Sequence, residues 1–293
     1  WETMLEGLHQ AGLMVVGTWP MRTEMSSRSV GQGKNALASS IVLVCRPRSE
    51  EAGVTDRSGF LDSLRSELPM ELKLLQQAAI APVDLAQASI GPGMAVFSRY
   101  AKVIEPSGDS MRVRTALGLI NQVLAEVLES GEGELDPSTR WALKWFEQRG
   151  MDEGPFGEAE VLATASGIAV EGLVKDGIVR SSAGKVRILE RDELPAQWDP
   201  VADDRLTVWE ATQHLVKALE EGGEESAADL LRRLGGIGDA AQALAYRLYS
   251  ICERKGWARE AGPYNALAAA WASLRSTSIA DSPDEETTQG ALL

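Results

Sequence analysis

Histidine and cysteine are scarce in this chain, with two of each in 293 residues. Cys45 and Cys252 fall on a predicted strand and a predicted helix face, and read as buried free thiols in a reducing, cytoplasmic setting. His9 and His214 stand far apart without Cys or carboxylate neighbours at ligand spacing, which argues against a zinc site. They read as surface or boundary residues rather than bases. No apolar run approaches the roughly 20 residues that span a membrane, and no signal peptide is visible. The sequence also lacks a G-x-S-x-G elbow and an H-E-x-x-H pair, and Glu24 and Asp109 have no partner carboxylate at a spacing suited to acid/base work. No repeat of fixed period is evident. Positive charge is in deficit: 29 Lys and Arg face 43 Asp and Glu, for a net charge of −14. That balance argues against a surface coated for DNA binding.

Apolar and charged contents of 44% and 25% are those of an ordinary globular protein, and the length suggests about two domains. Acidity is uneven. Residues 1–48 carry Arg22, Arg28, Lys34, Arg46 and Arg48 against Glu2, Glu6 and Glu24, whereas acid gathers at 126–136, 220–225 and 281–286. The chain opens at Trp1 with no cap before its first helix, so an N-terminally truncated sequence is expected. Residues 13–17 (Leu-Met-Val-Val-Gly) and 39–48 (Ser-Ser-Ile-Val-Leu-Val-Cys-Arg-Pro-Arg) read as two buried-type strands around a Ser/Gly-rich loop, residues 25–35. A lone strand pair is marginal in water, so residues 1–48 read as the last piece of a larger domain, with apolar faces left under-covered.

Beyond a polar linker at 49–58, the spacing predicts a helical region over 57–150. Its helices cover 59–68 (stopped by Pro69), 70–80, a short one ending at Ile90-Gly91-Pro92-Gly93, 111–130, and 137–148 with Asp136 as N-cap. Residues 94–104 read as an extended pair or a short helix plus strand. Residues 156–190 read as helix, turn, helix and hairpin, the layout of a winged helix. A capping box at Thr207 opens a C-terminal helical region over 205–275, in which Asp239 caps a further helix. Residues 276–293, rich in Ser, Thr and acid, read as a disordered tail.

Three groups are candidates for contact with DNA or substrate. Arg22, Thr23 and Glu24 sit at the carboxyl end of the first strand, where ligands of open α/β sheets gather. Arg99 and Tyr100, beside the Gly91-Pro92-Gly93 turn, could hold a phosphate or a base. Gly91-Pro92-Gly93 itself lacks the preceding strand and the Lys-Ser/Thr pair of a nucleotide loop and reads as a tight turn. Arg180, Lys185 and Arg187 lie on the hairpin, where they could meet phosphates; the alternative is a packing module with ordinary surface charges.

Taken jointly, Ala11-Gly12-Leu13, Thr18-Trp19-Pro20 with Thr23-Glu24, and 39–46 resemble the carboxyl end of a family of adenine-specific DNA methylases that carry an N-terminal domain of unknown function and a zinc ribbon. The resemblance continues through Ala88 to Gly93, Ser98-Arg99-Tyr100, Val113 to Leu117, Ala245 to Tyr249 and Glu253 to Trp257. Together with the helices and the winged-helix-like module read above, it implies a mainly α chain whose N-terminal β-hairpin is the remnant of a Rossmann-like methyltransferase sheet. It implies S-adenosylmethionine as cofactor of the full-length protein and DNA as its partner, with protein partners an alternative for the helical region. The family's glycine-rich loop and Asp/Asn-Pro-Pro-Tyr motif, which holds a flipped adenine, match no position here. No catalytic, cofactor or metal residue carries over, and none is expected to act in this segment alone.

Overall fold

The computed structural model of the chain describes residues 2–22, 39–129 and 135–280. Ten helices and seven short strands account for most of these residues, so the fold is mainly α. The predicted 25–35 loop lies outside the described residues.

Two apolar cores organise the molecule. The first gathers α1 (Glu2–Gln10), the antiparallel pair β1 (Leu13–Arg22) and β2 (Ser39–Pro47), and three helices, α2 (Arg57–Gln77), α3 (Pro82–Ser98) and α4 (Val113–Glu129). Phe60, Leu64, Leu68 and Leu72 recur every fourth residue of α2 and are buried, against Phe97 of α3 and Val113, Ile120 and Val123 of α4. That recurrence is the helical period written in apolar side chains. Strand β1 lies across α3, where the Val15 amide donates to Ser98 Oγ at 2.9 Å. Arg48, just past β2, donates to His9 Nδ1 at 2.9 Å and fixes α1 against the hairpin.

Several expectations are corrected here. Pro69 does not stop a helix; it sits inside the continuous α2, without the hydrogen bond that its missing N–H would have made. Gly91-Pro92-Gly93 is likewise no turn but the middle of α3, which extends to Ser98 where an extended pair had been one alternative. The glycines are there for close approach. A Cβ on Gly91 would lie 2.0 Å from the Thr18 side chain, and one on Gly93 would lie 2.6 Å from Ile120 Cγ2. The 49–58 linker contains β3 (Val54–Asp56), which pairs in parallel with β4 (Lys102–Ile104). His214 is buried, its ring stacked 4.0 Å from that of Trp198, and so is neither a surface nor a boundary residue, whereas the half-buried His9 lies at a boundary as expected.

The second core begins at α5 (Pro137–Arg149). It continues through β5 (Gly154–Pro155), α6 (Phe156–Ala165), α7 (Val170–Lys175), β6 (Val179–Ser182) and β7 (Lys185–Ile188). A bundle of α8 (Val208–Leu234), α9 (Ile237–Lys255) and α10 (Ala258–Ala280) completes it. Helix α8 bends at Gly223, whose φ of 70° is non-helical. Asp239 lies in the first turn of α9 rather than at its cap, which is Gly236. Residues 276–280 belong to α10, not to a disordered tail; 281–293 lie outside the described residues. The cores meet where Tyr246 of α9 donates to the Ile80 carbonyl at 2.5 Å and Asn265 Oδ1 of α10 accepts from the Val83 amide at 3.0 Å.

Replacing Gly91 with alanine should destabilise the protein by about 1–3 kcal/mol through overpacking against Thr18. Gly118→Ala, in α4 where a Cβ meets nothing within 4 Å, should stabilise by up to about 1 kcal/mol. Urea unfolding followed by circular dichroism reads both; a neutral Gly91→Ala would refute the close-approach account.

Candidate nucleic-acid interface

The hairpin of β6 and β7 shares its core with a junction of two helix starts. Asp136 Oδ1 accepts from the Thr139 amide at 2.8 Å, capping α5, while its Oδ2 accepts from the Val208 amide of α8 at 3.1 Å. Thr139 Oγ1 donates to Asp136 Oδ2 at 2.6 Å and accepts from the Trp209 amide at 2.9 Å. Thr207 Oγ1 in turn accepts from the Glu210 amide at 3.1 Å. The orphan N–H groups of two helices are thereby satisfied by one interlocked set of side chains. Burial pushes the Glu210 carboxyl up to about 8, with the charges of Asp203 and Asp176 acting in the same direction.

From α5 the order passes outward. Trp141 stacks on Trp145 with ring centres 5.2 Å apart, and its indole N–H donates to the Ala159 carbonyl of α6 at 3.0 Å. Strand β5 then joins β7, giving a three-stranded sheet in the order β5-β7-β6. The β6–β7 connection is two residues, Ala183 and Gly184, both with positive φ, which suits the tight turn of a twisted hairpin. Val179, Val186 and Ile188 face the core. Alternation puts Arg180, Lys185 and Arg187 together on the opposite face, with Arg180 directly across from Arg187.

Each of these cations has a carboxylate partner brought from outside the hairpin. Arg187 holds Glu193 through two bonds of 2.5 and 2.6 Å, and Arg180 Nη1 lies 2.6 Å from the same carboxylate. Lys185 pairs with Glu153 at 2.9 Å. The Arg187 guanidinium pulls the Glu193 carboxyl down to about 2, and the Lys185 hydrogen bond lowers Glu153. The sequence signal for Glu193 is the Glu190-x-x-Glu193 spacing, which builds a capping box on the short 3-10 turn Arg191–Glu193. That turn is pinned to α10 by Arg191, whose guanidinium donates to Glu260 at 2.6 and 3.0 Å and lies over the Tyr264 ring.

The remaining candidates are elsewhere. Arg99 is paired with Glu67 at 2.6 Å, and the Tyr100 hydroxyl lies 3.2 Å from Ser63 Oγ, both on the first core. They sit past the end of α3 rather than beside a glycine turn. Arg22 ends β1, while Thr23 and Glu24 lie outside the described residues. The structure thus brings together the hairpin trio but does not join it to the Arg99–Tyr100 pair. A cleft of about 1020 Å³ beside the 3-10 turn offers Arg149, Arg191 and Arg259, but Asp152, Glu190, Asp192, Glu220 and Glu260 line it too. Five carboxylates against three guanidinium groups make it a poor seat for phosphate.

Comparison with known proteins gives one family: a model described as "Domain of unknown function (DUF8807)" matches residues 136–292. The match covers just over half of the chain, which therefore belongs to that family. It begins at Asp136, which caps α5 and accepts from the first amide of α8. No curated protein and no solved structure matches the chain.

Glu210 sets an expectation for pH. Its folded value of about 8 lies above the roughly 4.3 of an unfolded glutamate. The stability it contributes is fully present below the unfolded value and is lost as pH rises toward 8. Urea midpoints measured between pH 5 and 8.5 should fall with pH, and Glu210→Gln should flatten that slope. An unchanged slope in the variant would remove Glu210 as its source.

Proposed function

We propose that this member of the DUF8807 family is the C-terminal part of an S-adenosylmethionine-dependent DNA adenine-N6 methyltransferase. In this reading the β1–β2 hairpin is the edge of a Rossmann-like sheet and the helical remainder positions DNA. The observation that carries the reading is the hairpin's lopsided cover. One face is bedded on α3, whereas Trp19 is 66% exposed and Val42, its cross-strand partner, is 46% exposed, with Val44 beside them also exposed. Apolar side chains left open on one face fit a sheet that a layer of further chain covers. The antiparallel edge hairpin is also what the resemblance to the adenine-specific methylases implies. The cofactor and the adenine would be held by a glycine-rich loop and an Asp/Asn-Pro-Pro-Tyr motif supplied by that further chain.

The order α5, β5, α6, α7, β6, β7, with β7 between its two neighbours, supports a second reading of the helical part. It is a winged-helix-like module whose wing face, Arg180, Lys185 and Arg187, meets DNA. The two readings are compatible: a methyltransferase that flips adenine from a duplex needs a second grip on the duplex.

The reading frame upstream of Trp1 should encode the glycine-rich loop and the Asp/Asn-Pro-Pro-Tyr motif, while the 293-residue chain alone should give no calorimetric heat with S-adenosylmethionine. Tight binding of the cofactor by this chain, or an upstream frame without those motifs, would overturn the methyltransferase reading.

A further inference from the structure

We propose that Glu193 is a built-in occupant of a phosphate site on the wing: it bridges Arg180 and Arg187 in the free protein and yields them to the phosphodiester backbone of duplex DNA. This deepens the reading of the hairpin as a DNA-facing wing and rests on it.

The cross-strand register is the starting point. Arg180 pairs with Arg187 on an antiparallel ladder, and two like charges directly opposite destabilise a hairpin. An anion between them removes that cost. Glu193 supplies one, with its two oxygens on two guanidinium groups at 2.5 and 2.6 Å. The arrangement is a two-arginine fork around a single planar anion, the geometry in which arginine also holds phosphate. A carboxylate carries one negative charge against the pair's two positive ones, so the face retains a net attraction for a phosphate chain. Lys185, on the same face and itself 61% exposed, extends it along the strand.

The occupant comes from a fixed support rather than from a wandering loop. The 3-10 turn that carries Glu193 is held by the Arg191–Glu260 pair and by its own capping box, in which Glu193 Oε2 also accepts from the Glu190 amide at 3.0 Å. Glu193 therefore has a hydrogen bond to keep when the arginines leave. Because Arg187 holds its carboxyl near 2, mild acid does not discharge it. Release requires a competing anion, and the competition follows salt and phosphate density rather than pH. The same masking reconciles a DNA-facing wing with a chain of net charge −14, since the cations are exposed to partners only where a backbone of closely spaced phosphates can outbid one carboxylate.

The test is fluorescence anisotropy of a 20-base-pair duplex with the 293-residue chain over a salt series. Glu193→Gln keeps an acceptor for the Glu190 amide and removes the charge. It should tighten binding on the order of tenfold at low salt and steepen the salt dependence by up to about two counterions. Adding Arg180→Ala and Arg187→Ala to that variant should return binding to the wild-type level or below. Wild-type affinity in Glu193→Gln, with near-ultraviolet circular dichroism unchanged, would overturn the inference. The wing reading would survive if Arg180→Ala/Arg187→Ala alone weakened binding. Absence of binding by every variant would overturn both. Should Glu193→Gln fail to fold, the Arg187 Nε–H resonance of the wild-type chain gives the answer. It should shift on saturation with duplex at low salt, and a resonance that stays in place would refute the exchange.

Discussion

One carboxylate holds the second half of this molecule together. Asp136 accepts from the first turns of both α5 and α8, where two helix N-termini, each with partial positive charge, converge. Without an anion there the two dipoles would oppose one another and two sets of amides would go unpaired. With it, the helices are fixed at a common origin, and everything beyond follows from their divergence. Helix α5 carries Trp141 and Trp145, on which α6 and the small sheet pack, while α8 opens the bundle with α9 and α10. The family match starting at this residue is physically sensible.

The β6–β7 hairpin is the outcome of that chain of support. Its apolar side is buried in the second core, so strand alternation forces the charged side outward. The charges are then shared with carboxylates from the segments just before and just after the sheet. In the proposed reading, such a surface keeps its cations masked at rest and yields them only to a phosphate backbone, unlike a permanently basic stripe. The first core plays another part. It supports a hairpin whose outer face is apolar and open, and it meets the second core through few polar bonds, those of Tyr246, Gln242 and Asn265 among them.

What was legible in the sequence was local. The Asp136-Pro137 start of α5, the Thr207 start of α8, the stripe of α4 and the hairpin at 179–188 all follow from caps and periodicity, and the structure has them within a residue or two. What was illegible depended on partners distant in sequence. Gly91-Pro92-Gly93 looks like a turn until Thr18 and Ile120 are seen to crowd it. Pro69 looks like a stop until the apolar spacing from Phe60 to Leu72 is seen to carry α2 through it. The parallel pair of β3 and β4 joins strands of three residues across 45 others, too short and too remote for a pattern to reveal. Of the candidate site, the hairpin trio was visible by residue type, but its carboxylate partners were not, because Glu193 lies outside the hairpin and reaches it only through the 3-10 turn.

Hydrogen–deuterium exchange of the 293-residue chain, free and saturated with duplex DNA at low salt, addresses the central claim most directly. Protection should appear over residues 179–193, where the wing and its carboxylate meet the backbone, with α2 unchanged. Protection confined to the first core, or none at saturation, would contradict the assignment of the wing as the DNA-facing surface.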